Sequence, residues 1–128
     1  MIVVWGIAVL CTLFLSSCKR PEVLDNSTLV NSARNVALTF GPAYVPFFKE
    51  ANVSDVQVFK KEDYGDSRPQ IRKQIGRKFY TVTFTYDSTA VKFNFGFAAR
   101  VRIWKDTGEP LDVIFGNGWG RNFLFSVY

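Results

Sequence analysis

Along this chain the spacing of apolar positions changes from continuous to helical to alternating. Residues 2–15, IVVWGIAVLCTLFL, are apolar throughout except for Thr12. After Asn26 and Ser27, both good capping residues, Leu29, Ala33, Val36, Ala37 and Phe40 recur at helical spacing. Asn31, Arg34, Asn35 and Thr39 occupy the opposite face, and Gly41-Pro42 ends the predicted helix. Tyr44, Phe47 and Phe48 around Pro46 read as a second short helical turn or an ordered loop covering an edge of the core.

From Asp55 onward the period becomes two. Val56 and Val58 mark a first strand, and Tyr80, Val82, Phe84 and Tyr86 alternate with Thr81, Thr83 and Thr85 in a second. Beyond the turn at Asp87-Ser88-Thr89, Val91, Phe93, Phe95, Phe97, Ala99, Val101 and Ile103 alternate with polar or small residues, which predicts one unusually long strand. Residues 106–110 carry turn chemistry and Leu111–Phe115 a short strand. Asn117-Gly118 predicts a two-residue type I′ hairpin turn before a last strand from Phe123 to Tyr128.

A helix followed by four or five strands on short turns predicts an α+β domain, with the amphipathic helix packed on an antiparallel meander. In the order of its elements alone this resembles the cystatin-like and NTF2-like rolls. The Gln-x-Val-x-Gly hairpin of cystatins is absent.

The apolar leader is too short for a comfortable membrane span, which takes about 20 residues, and suits the core of a signal peptide, about 7 to 15. It ends in Leu15-Ser16-Ser17-Cys18: an aliphatic residue, two small residues and a cysteine. These four positions resemble the lipobox of bacterial lipoproteins. The resemblance implies cleavage before Cys18, a thioether-linked diacylglycerol on its sulfur and an acyl chain such as palmitate on the freed amine. The signal departs from the usual pattern in having no Lys or Arg before its apolar core. The expected organisation is a signal peptide over 1–17, a lipidated tether over 18–25 and one domain over 26–128. Lipid anchoring places that domain in a bacterial cell envelope, facing the periplasm or the exterior.

Composition narrows the chemistry. The chain of 128 residues has no His, so Ser-His-Asp and Cys-His pairs and imidazole metal ligands are excluded. Its two cysteines, Cys11 and Cys18, both belong to the leader region, which leaves the mature domain no disulfide and no catalytic thiol. Nothing in the sequence calls for a cofactor or a metal. Asp87, Asp106, Glu109 and Asp112 keep a carboxylate-dependent hydrolase formally open, although each lies in or beside a predicted turn.

The formal charge is +5, and residues 1–17 carry no charged side chain, so the excess belongs to the mature part. Residues 60–78 are the most charged stretch, with seven basic residues against Glu62, Asp63 and Asp66. This stretch reads either as a basic loop for phospholipid or an acidic partner, or as a solvated connection that keeps a sheet edge soluble. Lys92, Arg100, Arg102 and Trp104 fall on the polar side of the long strand, where such a row either grips an anionic ligand or forms an ordinary wet face. Trp119 and Arg121, at the final hairpin, are candidates for a protein or glycan contact.

The expected function is that of a lipid-anchored envelope module that binds or scaffolds without catalysis. Its expected partners are the membrane, through Cys18, and another envelope protein or anionic envelope component, not nucleic acid. The alternatives are a ligand-binding or enzyme-inhibiting roll and, less favoured, the hydrolase.

Overall fold

A computed structural model describes residues 24–60 and 68–124. The leader, Cys18 and most of the tether lie outside the described residues, as do residues 61–67 and 125–128, and with the last group goes most of the predicted final strand.

Helix α1 spans Asn26–Phe40 and begins before the expected caps, Asn26 and Ser27, which are its first two residues. Asp25 is the cap: its carboxylate accepts the Thr28 amide at 2.8 Å, satisfying one of the unpaired donors of the first turn. That hydrogen bond, with a second from the Thr28 side chain, holds the Asp25 carboxyl below its ordinary pKa. Leu29, Ala33 and Ala37 are buried, as the helical spacing requires. A 3₁₀ helix over Pro42–Phe47 follows at once, the short helical turn that was one of the two readings of this segment.

Among the described residues six strands form one antiparallel sheet. They are β1 (Ala51–Val53), β2 (Gln57–Val58), β3 (Lys78–Phe84), β4 (Ala99–Trp104), β5 (Pro110–Phe115) and β6 (Gly120–Asn122). β1 and β2 lie end to end along one edge of β3, and β3 to β6 run on as a meander. Between β1 and β2 the ladder breaks at Ser54, whose hydroxyl accepts the Thr81 amide at 2.9 Å in place of a backbone carbonyl. The predicted class, a helix on an antiparallel meander, is the fold observed, and β1 is the strand that the alternation did not reveal.

Three local readings are corrected. The long alternation of residues 91–103 yields a strand only from Ala99, because β3 ends at Phe84 and residues 91–97 have no neighbouring strand to pair with. The turn after β5 is not type I′, since that turn needs positive φ at both central residues and Asn117 lacks it. Instead the Gly118 amide donates to the Phe115 carbonyl and the Phe115 amide to that of Trp119. Gly118 takes φ +93°, which gives a three-residue loop closed by a left-handed glycine. The last strand among the described residues, Gly120–Asn122, stops before Phe123, where the predicted strand was to begin, and residues 125–128 of that prediction lie outside the described residues.

The sheet buries apolar side chains on both faces. On one, α1 sets Leu29, Ala33 and Ala37 against Val82, Phe84, Val101, Ile103, Val113 and Phe115, each 1% exposed or less. Every Val, Leu, Ile or Phe so buried contributes about 1.5–3 kcal/mol relative to exposure. On the other face, Phe79 and Trp104 are register partners and form a smaller cluster with Phe59, Ile71 and Leu111. Ile71 comes from α2, a single turn over Pro69–Arg72 inside the charged stretch. Among the described residues no helix is long and apolar enough to cross a membrane.

Candidate functional site

The layout gives the domain two ends. At the near end the chain enters α1, with Leu24 beside Gly108 of the β4–β5 turn. At the far end α1 runs into the 3₁₀ helix, next to the β5–β6 turn and residues 91–98.

The far end is aromatic. Tyr44 stacks on Phe115 with ring centroids 4.7 Å apart, and Trp119 stacks on Phe115 at 5.4 Å. Phe93 fills the space between Tyr44, Phe47 and Tyr86, at 5.4, 5.8 and 4.7 Å. The Tyr86 hydroxyl accepts the Phe93 amide and donates to the Phe95 carbonyl, both at 3.3 Å, so one side chain folds residues 93–95 over the end of the sheet. The Phe95 amide donates to the Gly116 carbonyl, and a Cβ at Gly116 would stand 2.6 Å from the Phe93 ring and 2.7 Å from the Phe97 carbonyl. Only glycine allows that approach.

Three rings of this assembly remain open to water: Phe47 at 39%, Phe95 at 44% and Trp119 at 52%. Phe95 stacks on Phe97 at 5.5 Å, and Asn117 donates to the Tyr44 hydroxyl at 3.3 Å, so the exposed surface is held from beneath. Asp87 is held below its ordinary pKa chiefly by the Thr89 hydroxyl, at 2.6 Å, then by the Thr89 amide. Beside it, Pro46, Phe47, Phe48, Lys49 and Ala90 line a hollow of about 300 Å³.

The residues singled out from the sequence do not converge. Arg100, Arg102 and Trp104 share the face opposite α1, but Trp104 is buried and Arg100 lies over the Phe97 ring at 4.9 Å. Arg102 binds Asp112 through two hydrogen bonds, of 2.9 and 2.5 Å, and the carboxylate side chain is only 8% exposed. Lys92 falls in the irregular segment and leaves the expected row. Arg121 faces the helix side, over the Phe40 and Phe123 rings at 5.0 and 5.9 Å. Of these residues only Trp119 contributes a ring to the aromatic end. Phe95 was missed there because alternation assigns an aromatic residue to a buried face whether or not a neighbouring strand exists to bury it, and Phe47 because it was read as part of a turn or loop covering an edge of the core. Gly96 and Pro46, each next to an aromatic, are the signal that the strand or helix stops short.

At the near end, Gln74, Arg77, Trp104, Glu109, Pro110, Phe123 and Leu124 line an open cleft of about 490 Å³. The Arg77 guanidinium lies 3.9 Å over the Trp104 ring, donates to both Asp106 oxygens at 3.1 and 2.6 Å, and to Gln74 at 2.6 Å. These hydrogen bonds hold the Asp106 carboxyl below its ordinary pKa. Of the carboxylates considered for catalysis, Asp87 therefore caps a turn, Asp106 and Asp112 bind arginines, and Glu109 edges this cleft. Among the described residues no group of His, Cys, Asp and Glu is placed to hold a metal ion.

Comparison with known protein families, curated proteins and solved structures gives no significant match. The likeness to cystatin-like and NTF2-like rolls rests on the order of elements alone.

Proposed function

We propose that this protein is a non-catalytic binding or scaffolding module of a bacterial cell envelope, anchored by lipid on Cys18, whose aromatic far end is the contact surface. The observation that carries the reading is the row of half-exposed rings, Phe47, Phe95 and Trp119, on a rigid aromatic base. Solvent-exposed aromatic clusters of this kind are what protein interfaces bury at their centres, and preorganised rings lose little entropy when covered. The lipobox-like sequence supports the anchor, and the entry of the chain at the opposite end supports the orientation. The partner is another envelope protein that presents an apolar patch to these rings.

Two experiments test the two halves of the reading. Cys18→Ser is expected to abolish fatty-acid labelling and leave an unprocessed precursor; normal labelling and cleavage in the variant would remove the anchor. A photo-crosslinker at position 119 is expected to give a discrete product in the native envelope that Phe95→Ala diminishes. The same crosslinker at Leu38, an exposed apolar residue of α1, is expected to give none. Equal products from both positions would sink the contact surface.

A further inference from the structure

The near end differs from the far end in charge, and its apolar exposure is of another kind. After α2 the chain turns tightly: the Gln74 amide donates to the Ile71 carbonyl, the Arg77 amide to that of Gln74, and the Gly76 amide to that of Phe59. The turn is thus pinned to the second cluster, yet it leaves Ile75 43% exposed. Arg72 and Lys73 precede Ile75, and Lys78 opens β3 just after it; all three are exposed. The Lys105 amide donates to the Lys78 carbonyl, which adds a fourth exposed cation from the β4–β5 turn. Val58, register partner of Lys78, is 42% exposed. Over residues 60–78 and the β4–β5 turn together, eight basic residues outnumber five acidic ones, Asp106 and Glu109 included, so the excess holds with both segments counted.

An exposed aliphatic side chain flanked along the chain by lysines and arginines suits the interface of an anionic bilayer. The cations meet head groups while the apolar tip enters the acyl boundary, and long basic side chains can reach outward from a buried stem. A protein partner's hydrophobic pocket would accept Ile75 and Val58 but gain little from four cations spread around them. The site also lies where a membrane would be. Leu24 touches the same end, and the six residues from Cys18 to Leu24 reach at most about 20 Å when fully extended.

We infer that the Ile75 turn, with Arg72, Lys73, Lys78 and Lys105 around it, docks the near end of the domain on an anionic phospholipid surface and so points the aromatic end away from the bilayer. This rests on the anchored reading for the presence of a bilayer, and can fail separately from it. The test uses the full chain with Cys11→Ser, Cys18→Ser and Ile75→Cys, carrying a polarity-sensitive fluorophore on the single thiol. Its apolar leader associates with vesicles without any lipid on residue 18.

On phosphatidylglycerol vesicles the emission is expected to shift to the blue, and on phosphatidylcholine vesicles to stay as in water. Salt at 1 M, which contracts the Debye length to about 3 Å, is expected to reverse the shift while the chain still sediments with the vesicles. Arg72→Glu with Lys73→Glu is expected to reverse it as well. The same fluorophore on Trp119→Cys is expected to remain in water. A label at position 75 that stays in water on anionic vesicles overturns the inference, and so does an equal shift on neutral ones. Loss of fatty-acid labelling at Cys18 bears on the anchor alone, because the chain tested here carries serine at that position.

Discussion

The two ends of the sheet solve the same structural problem with different materials. At the far end, where β3 turns away and the ladder runs out, aromatic rings stack on one another: Tyr44 and Trp119 on Phe115, and Phe93 among Tyr44, Phe47 and Tyr86. At the near end the closing contacts are guanidinium groups. Arg77 covers Trp104 and clasps Asp106, and Arg102 lies 5.2 Å over Phe79 while it clasps Asp112. Stacked rings leave an apolar surface when they reach solvent, whereas arginines laid over rings leave a polar one. One domain can therefore offer an apolar surface at one end and a charged surface at the other without compromising its helix-covered core.

The difference can be broken most severely through Phe115, which is fully buried and serves both the main core and the aromatic end. Phe115→Ala is expected to cost about 3–5 kcal/mol in urea denaturation, as for other large-to-small aromatic substitutions in cores. A loss below about 1 kcal/mol would show that the rings at the far end are independent of the core.

A sharper cut is Gly116→Ala. The added methyl collides with the Phe93 ring and the Phe97 carbonyl, and crowding of this kind costs about 1–3 kcal/mol. Residues 91–98 are expected to lift from the sheet. Hydrogen exchange should then quicken at the Phe95 amide and stay unchanged at the Lys105 amide, bonded to the Lys78 carbonyl. Equal quickening at both would mean that the two ends open as one.

The smallest effect belongs to the Arg77–Asp106 pair, whose carboxylate side chain is 59% exposed. Asp106→Asn is expected to cost less than about 1 kcal/mol at neutral pH, because solvent screens exposed pairs. The sign with pH follows from the lowered carboxyl: its stabilisation is complete above the ordinary carboxylate value, about 3.9, and is lost as pH falls through the lower folded value. The gap between wild type and variant should therefore close in acid below about pH 4. A gap that held constant into strong acid would count against the carboxylate as the source of the stabilisation.

Much of the fold was legible in the sequence. Helical spacing from Leu29 to Phe40 named the buried face of α1, and the alternation at Tyr80–Phe84 and Ala99–Ile103 named the central strands. β1 was hidden because three residues, Ala51–Val53, are too few to show a period. The second cluster was hidden because Phe59 precedes the charged stretch and Ile71 lies isolated within it, and only the path of the chain brings them to Trp104. The candidate site was less legible still. Arg102 was singled out as a ligand contact, but nothing local reveals that the pairing of β4 with β5 sets Asp112 opposite its guanidinium.

What the sequence determined by itself is what depends on neighbours along the chain. That includes the helix and where it stops, the strand faces, the exclusion of histidine and thiol chemistry from the domain, and the lipobox-like run ending at Cys18. The tertiary structure decided which charges are neutralised, which aromatic residues stay wet, and that chain entry and the basic Ile75 turn share one end while Trp119 lies at the other. The physical reason is range. Backbone hydrogen bonding and side-chain periodicity act within a few residues, whereas burial and ion pairing depend on groups that only folding brings together, such as Arg77 with Asp106 and Tyr44 with Phe115.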